Sequence, residues 1–292
     1  MSKIDTILDD FIKNEGLSED YRARALEYFV PLGDRLVSWK GELPLCVGIN
    51  GAQGSGKSTL AGFLKHYLEE VYGRSVVVAS LDDLYLTRKD RIALAEEVHP
   101  LLATRGVPGT HDVRLGIDFL GACMRGDWSE AVCPKFDKAR DDRVEKGAWL
   151  RLEQAPDLVL FEGWCMGAVA EPMEALGVPV NELERVQDAD GAWRSFVNER
   201  LGGDYQRFFD LFSCWIFLRP ASFEAVVENR LKQEHRLRER GGGEAIMTDE
   251  QVRDFVALFE RLTRWMWREF PARADVVVEL GAGHEIDRMV VR

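Results

Sequence analysis

Residues 45–83 read LCVGINGAQGSGKSTLAGFLKHYLEEVYGRSVVVASLDD, and this stretch decides the architecture. Leu45 to Asn50 is a short apolar run between Pro44 and Gly51, the pattern of a buried strand. From Ser58 the period changes. Leu60, Phe63, Leu64, Tyr67, Leu68 and Val71 recur at helical spacing, and Gly73 can close the helix. Ser75 to Ser80 is a second, β-branched run. Strand, glycine loop, helix and strand make a βαβ unit, so both strands are expected to be parallel members of one sheet.

The loop between strand and helix is Gly51, Ala52, Gln53, Gly54, Ser55, Gly56, Lys57, Ser58 and Thr59, a complete G-x-x-x-x-G-K-S/T pattern. A phosphate chain needs many donors close together. The backbone must therefore wrap around it without Cβ atoms in the way, which Gly51, Gly54 and Gly56 permit. The helix that follows points free N–H groups and its positive dipole end at an anion. Lys57 can reach the β and γ phosphates of a nucleotide, and the Ser58 hydroxyl can ligate Mg²⁺.

Ligands of open α/β sheets sit beyond the carboxyl ends of the strands, and two strands here end in acids. SVVVAS runs into Asp82 and Asp83, and a third apolar run, Leu158 to Phe161, runs into Glu162. One carboxylate at this rim could take the proton of a hydroxyl that attacks the γ-phosphate. Another could hold Mg²⁺ or its waters. Asp82 is the expected base and Glu162 the expected magnesium-side acid, with Asp82 and Ser58 as further candidate metal ligands. Asp83 is expected to cap the next turn, and the bland role for all three acids is turn formation.

Elsewhere residues 1–40 read as helical, with Tyr21, Ala25, Leu26 and Phe29 on one face and Pro31 and Gly33 interrupting. Val113 to Met124 reads as a helix, and Trp215 to Leu218 and Val276 to Leu280 as strands. Ser222 to Arg240 is a charged helical stretch before Gly241, Gly242 and Gly243. Arg230, Lys232, Arg236, Arg238 and Arg240 could make it a cationic lid on a glycine hinge, although Glu228, Glu234 and Glu239 are interleaved as in a solvated helix. Thr248 and Gln251 form a capping box. The helix after it carries Val252, Phe255, Val256, Phe259, Leu262, Trp265 and Met266 on one side. There is no repeat, low-complexity tract or linker, so 1–292 reads as one domain.

The chain has 38 Lys plus Arg against 50 Asp plus Glu, a formal net charge of −12. Such a surface repels nucleic acid and anionic membrane, but a local cation cluster can still receive a small anion. Five widely spaced cysteines without a C-x-x-C pair argue for reduced thiols. The N-terminus has neither a signal-peptide core nor the acid-poor composition of a transit peptide, and no apolar run approaches a membrane span. A cytoplasmic location is the expectation.

A guanine-recognition N-K-x-D run and an L-S-G-G-Q run are both absent. An acid directly after the second strand suits activation of an acceptor hydroxyl. The motifs GAQGSGKST (51–59), SLDDLYLT (80–87), RGVPGTHD (105–112), PKFDKARDDR (134–143), FEGWCMG (161–167), NELE with DADGAWRSFVNERL (181–201), NRLKQE (229–234) and MTDEQV (247–252) together resemble the D-glycerate 3-kinase-like P-loop kinases. That family is related to phosphoribulokinase, uridine kinase and pantothenate kinase. The resemblance spans about 45–260. It implies a three-layer α/β/α P-loop NTPase fold with a central parallel sheet, a helical N-terminal extension at 1–40 and a helical lid at 222–243. It also implies ATP and Mg²⁺, and transfer to the 3-hydroxyl of D-glycerate. It supports Asp82 as base and places Arg230 in the lid. One stretch departs from the family, because Phe136-Asp137-Lys138-Ala139 runs straight into Arg140-Asp141-Asp142-Arg143 without the usual glycine-containing spacer.

Glycerate is a carboxylate, so a closed site must supply a cation or strong donors. Arg105, His111, Lys135, Lys138 and Arg143 lie on loops after the sheet, and Tyr85 lies beside Asp82. Of these, Tyr85, Arg105, His111 and Lys138, with Asp82, are the candidate acceptor-binding residues. Asp112 can instead be a helix N-cap, and Pro108-Gly109 a turn. The 168–210 segment, with Trp193 and Arg194, reads either as a flap over the pocket or as a packed insertion. Two other readings fit the same residues: a kinase for a nucleoside, pantothenate-like compound or other sugar acid, and an ATP-binding regulatory protein with no small acceptor.

Overall fold

In a computed structural model, residues 2–41, 43–239, 247–281 and 285–292 are described. Arg240 and the expected hinge Gly241 to Gly243 lie outside them.

Six strands form the central sheet: β1 (Leu45–Gly51), β2 (Val76–Ser80), β3 (Leu158–Gly163), β4 (Cys214–Pro220), β5 (Val276–Leu280) and β6 (Ile286–Val291). Their spatial order is β6-β5-β4-β1-β3-β2. All neighbours are parallel except β6, which runs antiparallel along the edge. The expected βαβ unit is present, and β3 lies between its two strands. β1 is buried along its whole length, as its unbroken apolar run requires.

Side chains alternate across a strand, so each strand feeds two cores. Val47, Ile49, Leu160, Ile216 and Val278 pack with the helix Lys57–Tyr72 and the N-terminal helices. Cys46, Val159, Phe161, Phe217 and Val277 pack with the helices Val113–Met124, Ala192–Gly202 and Glu260–Glu269 on the other face. The result is the three-layer α/β/α arrangement. A small third cluster joins Ala52 of the glycine loop to Phe223, Val226, Val252 and Val256 of the two helices above it.

Three expectations are corrected. Leu26 is 42% exposed, because it follows Ala25 directly and so lies about 100° round the helix from the stripe that Tyr21, Ala25 and Phe29 bury at four-residue spacing. Pro31 and Gly33 do not interrupt. They lie in the helix Val30–Val37, where Pro31 occupies the first turn that needs no N–H and Gly33 lets the Tyr67 ring approach. The C-terminal amphipathic stretch is two helices, Asp249–Ala257 and Glu260–Glu269, and at their junction Phe259 packs edge-on against Trp164 with ring centroids 4.9 Å apart.

Candidate active site

The glycine loop leaves β1 and enters its helix at Lys57, with Gly56 as N-cap. Gly54 and Gly56 have φ of +75° and +86°, a region that L side chains adopt only with strain. Gly51 has no room for a side chain, since a Cβ there would come within 2.3 Å of Ser55 Oγ. Ser55 Oγ and Gln53 Oε1 are buried and lack any hydrogen-bond partner among the described residues. Orphaned polar atoms in a glycine cradle at a helix N-terminus fit a phosphate chain.

Glu162 ends β3 in register with Ile49 of β1 and Ser80 of β2, which aims it at the loop. Its Oε1 accepts the Ser58 hydroxyl at 2.8 Å, and Lys57 Nζ lies 3.8 Å from its Oε2. Oε2 is buried and makes no hydrogen bond. Ser58 and Glu162 therefore present hard oxygens side by side beneath the phosphate cradle, a donor set that suits Mg²⁺ completed by phosphate and water. Asp82, also expected as a metal ligand, shares no hydrogen bond or ion pair with them.

Asp82 follows β2 in a short 3₁₀ turn, Leu81–Leu84, that Ser80 caps by accepting the Asp82 N–H. Its Oδ1 accepts from the Tyr85 hydroxyl at 2.9 Å, and its Oδ2 pairs with Lys138 Nζ at 2.6 Å. Burial pushes the carboxyl up. The charges of Lys138 and Lys57, helped by hydrogen bonds from Lys138 and Tyr85, outweigh burial and hold it below the ordinary 3.8. Asp83 does not cap the turn. It accepts the Phe136 N–H at 3.2 Å and pairs with Lys135 at 2.7 Å, which anchors the next segment.

That segment is a tight hairpin, Phe136–Asp137 against Asp142–Arg143. Asp141 takes the position a glycine spacer would fill, with φ of +54°. Arg91, only 1% exposed, holds it there: the guanidinium donates to the Asp141 carbonyl at 2.8 Å and pairs with its carboxylate at 2.9 Å. Arg105 also pairs with Asp141 and lies over the Phe136 ring at 5.5 Å. Arg143 donates to the Tyr85 carbonyl at 2.9 Å and to Asp112 at 3.4 Å. The cations expected to be free for an anionic acceptor thus all have carboxylate partners: Arg105 with Asp141, Lys135 with Asp83, Lys138 with Asp82 and Arg143 with Asp112. Asp112 is the N-cap residue of its helix, yet its side chain serves Arg143 and not the helix N–H groups.

His111 is not a cation. Burial pushes its imidazole down to about 3 from the ordinary 6.5, against a smaller opposing pull from Asp82. Its ring stacks on Tyr85 at 4.6 Å, and its Nδ1 lies 2.6 Å from the Tyr205 hydroxyl. Tyr205 belongs to the 168–210 segment, which packs into the core through Trp193, Leu201 and Tyr205. Trp193 is buried, and Arg194 is buried with a 2.7 Å ion pair to Asp188. Nothing in the spacing of the sequence marks Arg91 or Tyr205, since each acts through partners far away along the chain.

The helix expected to serve as a lid, Phe223–Glu239, packs against the loop at Gly54. A Cβ on Gly54 would meet Asn229 Cβ at 3.1 Å and Gln233 Nε2 at 3.4 Å. The four expected lid cations within the described residues divide between surface and interior. Lys232, Arg236 and Arg238 are exposed. Arg230 turns inward to an ion pair with Glu234 at 2.6 Å, and the buried Glu234 also accepts the Met247 N–H at 2.8 Å. Among the described residues no helix is long and apolar enough to cross a membrane.

No protein-family model matches the chain. It is 36% identical over 221 residues to the uncharacterized kinase mug58 of Schizosaccharomyces pombe, covering 73% of this chain and 77% of that protein. It is 27% identical over 257 residues to a chloroplastic D-glycerate 3-kinase of Arabidopsis thaliana, covering 82% of this chain and 53%, about half, of that longer protein. The solved structure of a D-glycerate 3-kinase from Cryptococcus neoformans superposes with a TM-score of 0.72 at 29% identity, covering 90% of this chain and 97% of that one.

Proposed function

The chain belongs to the D-glycerate 3-kinase-like family of P-loop kinases, and from that premise we propose that it transfers the γ-phosphate of Mg-ATP to the 3-hydroxyl of D-glycerate. One observation carries the reading: Asp82 is a carboxylate kept ionised within the electrostatic reach of Lys57, at the sheet rim where the phosphate loop ends. A regulatory nucleotide-binding protein has no need of such a base.

The N–H groups of 51–59 and Lys57 hold the triphosphate. Ser58 and Glu162 would hold Mg²⁺, which would supply positive charge to offset that of the phosphoryl group. The acceptor hydroxyl lies against Asp82 and gives up its proton to it as the oxygen bonds to phosphorus and ADP leaves. Tyr85 and Lys138 fix the carboxylate in place. Arg105, its side chain 27% exposed, pairs with a partly exposed Asp141 that Arg91 also holds, so the acceptor carboxylate exchanges with that partner while Lys138 stays on Asp82. Arg230, paired with Glu234 on the helix that packs against the loop, would add positive charge on the phosphate side of the site. The five cysteines are free and buried, which supports a reducing, cytoplasmic setting.

The test is coupled ADP release with Mg-ATP and a panel of D-glycerate, L-glycerate, glycerol, pantothenate, uridine and ribulose 5-phosphate. Strong stimulation by D-glycerate alone is expected. Stimulation by another member would overturn the acceptor and keep the kinase chemistry. A flat panel with intact ATP binding would overturn D-glycerate and favour the regulatory reading.

A further inference from the structure

Building on the acceptor site proposed above, we infer that Tyr205 is a positioning residue that fixes His111 as an Nε2–H donor to an oxygen of the acceptor. The Gly109 N–H donates to the Tyr205 hydroxyl oxygen over 3.0 Å, and that oxygen lies 2.6 Å from His111 Nδ1. A phenol has a single proton, and an amide nitrogen cannot accept it. Donated to a bare Nδ1 as an O–H···N bond, that proton satisfies all three groups. Any other arrangement leaves a buried O–H with nothing to bond, which is costly. The neutral ring therefore carries its own proton on Nε2.

Nε2 is buried and has no hydrogen-bond partner among the described residues, although His111 is only 5% exposed. A buried donor of this kind calls for an oxygen from outside the chain, a ligand's or that of a water which a ligand displaces. Its surroundings say which. The ring lies on Tyr85 with planes 23° apart, the two backbones form an isolated bridge, and the Tyr85 hydroxyl donates to Asp82. The titratable groups of this pocket include Asp82, Tyr85, Tyr205 and the buried Cys165, and burial holds both phenols and the thiol well above their ordinary values. The free donor is thus locked to the same small unit as the proposed base. A neutral N–H there binds an acceptor oxygen without competing with Lys138 for the Asp82 charge.

The test pairs a spectrum with a mutant cycle. In ¹⁵N-histidine-labelled enzyme without ligand, His111 is assigned by its loss in His111→Gln. The expected pattern is a protonated Nε2 and a bare Nδ1 at pH 7. A proton on Nδ1, or an imidazolium, overturns the inference whatever the acceptor is. In kinetics, Tyr205→Phe is expected to raise the acceptor KM roughly tenfold, the scale of one lost hydrogen bond, with the ATP KM nearly unchanged. Gln at 111 keeps a donor that needs no tautomer, so adding Tyr205→Phe to His111→Gln should cost little more. Equal losses in both backgrounds would show a merely structural tyrosine and overturn the claim. A panel response to a different acceptor refutes D-glycerate and leaves the nitrogen spectrum to decide the role of Tyr205.

Discussion

Asp82 carries the chemistry proposed here, and its surroundings pull in opposite directions. Burial favours the neutral acid, and two ammonium groups favour the carboxylate and prevail. Asp82→Asn keeps the shape and removes the base. It should retain ATP affinity and lose about 10²-fold or more in kcat, the usual scale of general-base loss. Near-normal kcat would remove Asp82 from the mechanism. The acid limb gives a second check. The active form is ionised, so activity is present above the lowered Asp82 value and lost as pH falls through it. Lys138→Met deletes the largest charge that lowers it, so the limb of the kcat profile should move to higher pH. An unmoved limb would show that another group titrates there. Asp82, Glu162 and the loop residues were legible in the sequence because each follows an apolar run directly. Arg91 and Tyr205 were not. Arg91 works on Asp141, 50 positions away, and Tyr205 on His111, 94 away, and no periodicity links such pairs.

At the scale of elements, the contact between phosphate loop and lid helix is the sensitive joint. Gly54 faces Asn229 with no room to spare and has a left-handed backbone. Gly54→Ala imposes a backbone cost of roughly 1–2 kcal/mol and presses on the lid. The expected result is weaker nucleotide binding by about tenfold or more, read as the ATP Kd by calorimetry, with the melting temperature lowered as well. Unchanged affinity would show that the loop relaxes freely and that the lid does not rest on it. The loop could be read from its glycine-lysine pattern, its helix from apolar residues at period 3.6, and five strands from short unbroken apolar runs. The edge strand β6 could not. Asp287 and Arg288 interrupt its apolar residues, and exposure of an edge permits that. Nor could the break near Phe259, because the apolar stripe continues across it and only the packing against Trp164 reveals the bend. The hairpin 136–143 was read as a shortened loop. Its turn depends on an aspartate held in a glycine conformation by a buried arginine, which no local pattern announces.

For the molecule as a whole, an acidic chain of net charge −12 gathers Lys57, Arg105, Lys138 and Arg230 around one end of its sheet. Each of these cations already has a carboxylate neighbour. The resting site is therefore internally compensated, and an anionic acceptor must enter by exchanging partners rather than by filling an empty positive pocket. That separates the fold, which sequence periodicity largely specified, from acceptor choice, which depends on how ion pairs between distant loops rearrange. The family relation makes the chain a kinase acting on an alcohol group. The position of the transferred phosphate tests the rest most directly. Product formed from Mg-ATP and D-glycerate can be read by ³¹P–¹H correlation. Coupling of the new phosphorus to the C3 methylene protons is the predicted result. Coupling to the C2 proton, or the appearance of inorganic phosphate alone, would contradict it.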